Sequence, residues 1–185
     1  MNSIDLRVEL ERHHSDSFGW ALACCSRNPA DAENVLQSAY VKVLEGKARF
    51  DNRSSFKTWL FAIIRKTAID YHRRETLKRL LLVRHRQNLV ESTYGHFDEE
   101  VFHTEIQGIF KQSLLTLPKR QQEILQLVFY HELSLAEAAA VMQITLGAAR
   151  KHYDRGKAQL RRKLIELGVS DESGFSRAEN QATLS

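Results

Sequence analysis

The chain has 185 residues, enough for one ordinary domain or two small ones, and its 43% hydrophobic content is that of a water-soluble globular protein. No run of about 18 apolar residues offers a membrane-spanning helix, and the polar start MNSIDLRVELERHHSD lacks the apolar stretch of a secretory signal. The two cysteines, Cys24 and Cys25, are adjacent and form no Cys-x-x-Cys pair, so they read as small buried thiols rather than metal or redox ligands. Together these absences predict a cytoplasmic protein without membrane insertion.

The net charge of +4 is unevenly spread. Residues 47–86 carry twelve Lys/Arg against three acids, residues 87–110 carry five acids and no Lys/Arg, and residues 147–163 carry seven Lys/Arg against one acid. Two basic blocks around an acidic spacer suggest a polyanion touched at both ends. Two solvated helix faces would carry the same charge.

In chain order, the pattern is helical almost throughout residues 5–80. In ADAENVLQSAYVKVLEG the apolar residues Val35, Leu36, Ala39, Tyr40, Val43 and Leu44 fall on one helical face. Pro29 precedes this helix, Asp31 is taken as its N-cap, and Gly46 ends it. KARFDNRSS is a turn-rich loop, and Ser54 or Ser55 caps the next helix, SSFKTWLFAIIRKTAIDYHRR. At about 100° per residue, Phe56, Leu60, Ile63, Ile64, Ala68 and Tyr71 form the buried stripe of that helix. Trp59, Lys66 and Arg73 recur every seven residues on a separate outer stripe. A Trp in line with two cations resembles a platform for stacking bases beside phosphate contacts. Packing of Trp59 against a neighbouring helix is compatible with that reading.

From residue 81 to 110 the periodicity weakens, and ESTYGHFDEE reads as a linker. Helical pattern returns at Leu117-Pro118. Ser134 and Glu137 form an S-x-x-E capping box. The short Ala-rich helix behind it runs to about Met142, a break follows at Gln143–Leu146, and Gly147 opens a second helix. There Ala149, Tyr153, Gly156 and Leu160 make the buried stripe and leave Arg150, Lys151, Asp154, Arg155 and Lys157 outside. This is a helix-turn-helix with a basic recognition helix. The expected fold is all-α: two small helical domains, 1–80 and 111–170, a linker at 81–110, and a polar tail at 171–185. The eight histidines are scattered without His-Glu-x-x-His spacing, and neither a Gly-x-Ser-x-Gly elbow nor a phosphate-binding glycine loop occurs, so no catalytic residue, metal or cofactor is expected. A stand-alone duplex-binding regulator and a pure interaction protein are the competing functions. The Phe50/Trp59 constellation separates the first from a protein that handles unpaired bases.

The segments DAENVLQSAYVKVLEG…RFDNRSSFKTWLFAIIRKTAIDYHRR and LLTLPKRQQEILQLVFYHELSLAEAAAVMQITLGAARKHYDRGKAQLRRKL together resemble the extracytoplasmic-function (ECF) sigma factors. These are small sigma-70 family members with only regions 2 and 4. The resemblance covers roughly residues 10–80 and 108–167. It implies a promoter-specificity subunit without an active site, which directs core RNA polymerase to promoters and assists melting. Implied partners are the β′ clamp helices and β flap of the polymerase, promoter DNA and, as often in the family, an anti-sigma factor. By the same resemblance Asp31, Asn34, Leu36, Gln37 and Tyr40 contact the clamp, with Asn34 and Ser38 standing where the family usually has acids. Phe50, Asn52, Arg53 and Ser54 form the loop that receives a flipped −10 base. Trp59, Phe61, Arg65, Lys66 and Arg73 hold the melted strand. Thr145, Arg150, Lys151, Asp154, Arg155 and Lys157 meet the −35 element. Two departures stand out: the loop reads Asp51-Asn52-Arg53-Ser54 without the family's glycine, and Gln143 replaces the turn glycine of region 4. The acidic residues Asp98, Glu99 and Glu100 match the segment that runs through the polymerase cleft, where their charge would mimic nucleic acid.

Overall fold

The computed structural model describes residues 3–85 and 112–167, and among these every regular element is an α-helix. Besides a short helical stretch at 112–115, they are α1 (Ser3–Arg12), α2 (His14–Cys24), α3 (Pro29–Leu44), α4 (Phe56–His85), α5 (Lys119–Phe129), α6 (Leu135–Met142) and α7 (Leu146–Glu166). The first four belong to one compact unit and the last three to another. The expected linker beyond His85, with Asp98, Glu99 and Glu100, and the tail at 171–185 lie outside the described residues.

In the first unit α2, α3 and α4 pack pairwise, and α1 lies against α2 and α3. Alanines 21, 32 and 39 are fully buried and let the helix backbones approach closely. Trp20, Val35, Leu60, Phe61 and Ile64 fill the space between them. The Trp20 ring stacks on Phe61 with centroids 5.9 Å apart. Its indole N–H donates to the Phe61 carbonyl at 3.1 Å, so the one polar atom of the largest core side chain is satisfied. Leu36 packs in the same core, because α3 is covered on two sides, by α2 and by α4.

The start of α3 differs from the sequence expectation. Pro29 occupies the first turn, where its missing N–H costs nothing, so the cap falls on Asn28, whose side chain accepts from the Asp31 N–H at 3.2 Å. Asp31 thus lies inside the first turn, where a carboxylate suits the positive helix end. There it accepts a hydrogen bond from the Tyr71 hydroxyl at 2.8 Å, which ties α3 to α4. At the other end Gly46 has φ 71°, as the glycine that closes α3 requires. Ser55 rather than Ser54 caps α4, its hydroxyl accepting from the Thr58 N–H at 3.2 Å.

The 30 residues of α4 make a rod of roughly 45 Å. Its buried positions end at Ala68, and beyond Glu75 the side chains described, to Leu81, are exposed. The expected stripe is only partly buried: Ile63 and Tyr71 sit half-exposed at its edge.

In the second unit α5, α6 and α7 pack pairwise around Ile124, Leu125, Leu127, Val141, Met142, Leu160 and the small residues Ala138, Ala139 and Ala149. Both halves of the capping box form: Ser134 Oγ accepts from the Glu137 N–H at 3.3 Å, and Glu137 accepts from the Ser134 N–H at 3.0 Å. Gln143 takes the left-handed conformation (φ 55°, ψ 47°), so the turn keeps the shape a glycine would give it. The helix after it begins at Leu146, capped by Thr145, whose Oγ1 accepts from the Ala148 N–H at 3.2 Å. A Cβ on Gly156 would stand 3.1 Å from both Gln121 Cβ and Leu125 Cδ1, so α7 crosses α5 at a point that only glycine leaves free.

Candidate nucleic-acid interface

Each unit carries its own candidate surface. On the first, the loop after α3 folds over the start of α4. Phe50 lies edge-on to Phe56 with centroids 5.5 Å apart, and Trp59 completes the cluster at 5.1 Å from Phe50 and 5.3 Å from Phe56. His13, at the junction of α1 and α2, stacks on Phe56 at 5.8 Å. Phe56 is buried, whereas Phe50 and Trp59 are half-exposed, so two rings rest on a fixed floor and still present area to solvent. Trp59 packs against Phe50 of the loop and Phe56 of its own helix and stays half-exposed.

Beside these rings Asn52 adopts φ 60°, a conformation asparagine tolerates better than most side chains. Asp51 supports the bend, accepting from the Arg53 N–H at 3.3 Å and pairing with the Arg53 guanidinium at 3.1 Å. Asn52, Arg53 and Ser54 are exposed. Lys66 and Arg73 continue from Trp59 along the same face of α4, both exposed and neither paired with an acid among the described residues. Arg65 is half-buried to one side.

Phe61 is corrected: it is 0% exposed, locked between Trp20 and the Lys57 ammonium 5.7 Å from its ring, and it cannot touch a DNA strand. Its place is structural, in the wall behind the surface. Leu36, 3% exposed, is corrected for the same reason and cannot touch the polymerase. The exposed stripe of α3 comprises Asn34, Gln37, Ser38 and Val41, with Leu44 at its edge. Val41 and Leu44, about half exposed at 50% and 48%, were missed by the sequence reading. Their signal was present, since apolar residues four and seven positions from Gln37 share its face. Asp31 and Tyr40 are half-buried at the margins of this stripe. Burial raises the Tyr40 hydroxyl pKa above its ordinary value, and His14 Nδ1 lies 3.3 Å from that hydroxyl.

On the second unit Arg150, Lys151, Asp154 and Arg155 are exposed on α7 and Lys157 is half-buried. Thr145 sits at the helix start, where free backbone N–H groups favour an anion. Arg150, Lys151 and Arg155 make no ion pair among the described residues, so their charge is available to a ligand. Among the described residues no helix is long and apolar enough to cross a membrane, and no cluster of His, Cys, Asp or Glu is placed to hold a metal.

Comparison with known proteins matches both units. The family model for sigma-70 region 2 matches residues 10–77, and that for sigma-70 region 4 matches residues 113–162. A Haemophilus influenzae protein described as "Probable RNA polymerase sigma factor" is 30% identical over 149 residues, covering 72% of this chain and 77% of that one. The ECF RNA polymerase sigma factor SigW of Bacillus subtilis is 26% identical over 149 residues, covering 76% and 79%. Among solved structures, the sigma factor RpoE of Bartonella quintana, in complex with the anti-sigma factor NepR, has the same fold, with a TM-score of 0.65, 22% identity, and coverage of 87% and 97%.

Proposed function

The chain belongs to the sigma-70 family of RNA polymerase sigma factors, in its ECF group, and from that premise we infer how its surfaces divide the work of initiation. It acts as a transcription initiation factor that directs core polymerase to promoters. The unit of residues 1–80 binds core and the −10 element. The unit of residues 111–170 binds the −35 element, the segment 81–110 links them, and 171–185 is a polar tail. Asn34, Gln37 and Val41 face the β′ clamp helices, and the second unit meets the β flap. Phe50, Asn52, Arg53 and Ser54 hold a flipped base, while Trp59, Lys66 and Arg73 carry the unpaired strand. Arg150, Lys151 and Arg155 read the −35 duplex. The protein itself is not an enzyme, since polymerase supplies the chemistry, and it works in the cytoplasm. An anti-sigma factor is a further partner, as one is for the Bartonella protein.

The observation that carries this reading is the half-exposed Phe50/Trp59 pair on its buried Phe56 floor, beside an exposed Asn52. A protein that only grips duplex DNA has no use for ring faces, because bases in a duplex keep theirs stacked. Flipping a base costs a few kcal/mol, which a preformed stacking and hydrogen-bonding pocket can return. The test is in vitro transcription with core polymerase and a genomic fragment library. Specific start sites that depend on this protein are expected. Binding to duplex fragments without any directed initiation would instead establish the stand-alone regulator.

A further inference from the structure

The recognition helix carries one acid where a polyanion is to bind. Asp154 is exposed on α7 and makes no ion pair or hydrogen bond among the described residues, although Arg150 and Lys151 lie one turn before it. Placing the buried Ala149 at 0° and turning about 100° per residue, Asp154 falls at roughly 140° and Lys151 at roughly 200°. On the same scale Gly147 falls at roughly 160° and Ala158 at roughly 180°. These four face directly away from the core, and three of them are small or short. Arg150 and Arg161 flank the strip on one side, Arg155 and Arg162 on the other. With the strip turned to the floor of a major groove, the flanking guanidiniums lie toward the two phosphate backbones. Gly147 and Ala158 carry small side chains or none, and a Cβ built at Gly147 would meet nothing within 4 Å, so that end of the strip is open.

A carboxylate at one edge of such a strip is repelled by phosphates and gains from a base edge only where it meets a donor. In the major groove cytosine N4 and adenine N6 are the amino donors, but adenine sets the N7 acceptor beside its donor, which repels a carboxylate, and a guanine offers only acceptors, O6 and N7. Lys151 has the complementary preference. Three residues of helix rise about 4.5 Å, against about 3.4 Å per base pair, so the two side chains reach the same or neighbouring base pairs. We propose that Asp154 is a specificity-determining residue that selects cytosine in the upstream promoter element, next to a guanine read by Lys151. This rests on the sigma-factor reading of the second unit and adds the sequence it prefers.

The test uses the full chain with core polymerase and a pool of duplex templates randomised over the upstream element, sequenced after selection for open complexes. The wild-type chain is expected to enrich a cytosine at one position, at roughly 5-fold over other bases, the low end of the range for base contacts because only the N4 amino group donates. Asp154→Ala should abolish that enrichment and leave the other positions unchanged. Asp154→Asn, which pairs with adenine N6 and N7, should move the enrichment to adenine. If both variants select the same sequences as the wild type and merely bind all templates more tightly, Asp154 is only a repulsive charge and the proposal is overturned. Lys151→Ala separates the two levels of inference. If it too leaves the selected sequences unchanged, the −35 assignment of α7 itself fails. If it alters the selection while both Asp154 variants do not, only the cytosine proposal fails.

Discussion

Replacing Lys66 and Arg73 together by alanine tests the strand-holding surface of α4. Both side chains are exposed and unpaired among the described residues, so the double variant should fold normally, with stability within about 0.5 kcal/mol of wild type. Their charge should matter only to DNA. Each cation that neutralises one phosphate of a single strand contributes about 0.7 to the slope of log K against log salt. Two lost contacts make that slope shallower by about 1.4, which at 0.1 M salt, relative to 1 M, is roughly a 25-fold loss of affinity. The assay is anisotropy of a labelled non-template strand spanning the −10 element, bound to holoenzyme across a salt series. Permanganate footprinting on duplex and pre-melted templates is its functional companion. Closed complexes should survive, open complexes should fail on the duplex, and the defect should shrink on the pre-melted template. An unchanged salt slope would refute the phosphate contacts. Equal defects on both templates would mean that the stripe supplies general DNA affinity and has no part in holding the melted strand.

Phe61→Ala should destabilise the first unit by about 3–5 kcal/mol, because a ring fully buried against Trp20 leaves a cavity; a thermal melt that barely moves would contradict its placement. Gln143→Gly should stabilise the second unit by about 0.5–1 kcal/mol, the relief of a left-handed non-glycine residue less the added freedom of the unfolded chain, read by denaturant titration without change in the slope m. A Gln37→Ala/Val41→Ala variant should lose affinity for core polymerase in a pull-down while circular dichroism stays that of the wild type; undiminished capture would remove the exposed stripe of α3 from the interface. The hydrogen bond to Asp31 raises the Tyr71 pKa above its ordinary value, so its stabilisation is full below about pH 10 and fades as the phenol ionises above that. Melting temperature should therefore fall more steeply above pH 10 in wild type than in Tyr71→Phe.

The outer stripe of α4 was legible because one period places Trp59, Lys66 and Arg73 on one line, and the structure leaves that line open to solvent. Phe61 was placed on the melted strand by the resemblance, and the single buried stripe read for α4 left it out. With both α2 and α3 packed against it, α4 buries a wider arc, which takes in Thr58 and Phe61 as well as Leu60 and Ile64. How many neighbours a helix has is a property of the tertiary fold, and one helix's periodicity does not report it. Leu36 failed differently: a motif carried over as a block includes residues that fold the helix beside residues that meet a partner, and only burial separates them. At the start of α3 the answer was available locally, since a proline in the first turn moves the cap one residue before it, to Asn28. The capping box and the α7 stripe were read directly because each depends on side chains within a turn or two of one another. His13 was invisible as a member of the aromatic cluster, since 43 residues separate it from Phe56.

The loop between α3 and α4, proposed above to receive a flipped base, is shaped in advance without being closed to solvent. A family loop with glycine reaches positive φ at no steric cost; here Asn52 must be held there, and the Asp51 carboxylate does so through the Arg53 N–H and guanidinium. That ion pair is exposed, with 88% and 57% of the two side chains open to solvent, and pairs of this kind contribute about 0–1 kcal/mol. It suffices to bias the turn, yet a phosphate can displace Asp51 from the guanidinium at little cost, while the backbone N–H bond to Asp51 keeps the turn in place. Arg53 can thus leave its carboxylate for DNA without the loop collapsing, and the Phe50 and Trp59 rings stay on the Phe56 floor. Loss of glycine therefore changes how the bend is maintained and leaves the exposed Asn52 side chain at its apex, beside the rings on which a flipped base would stack.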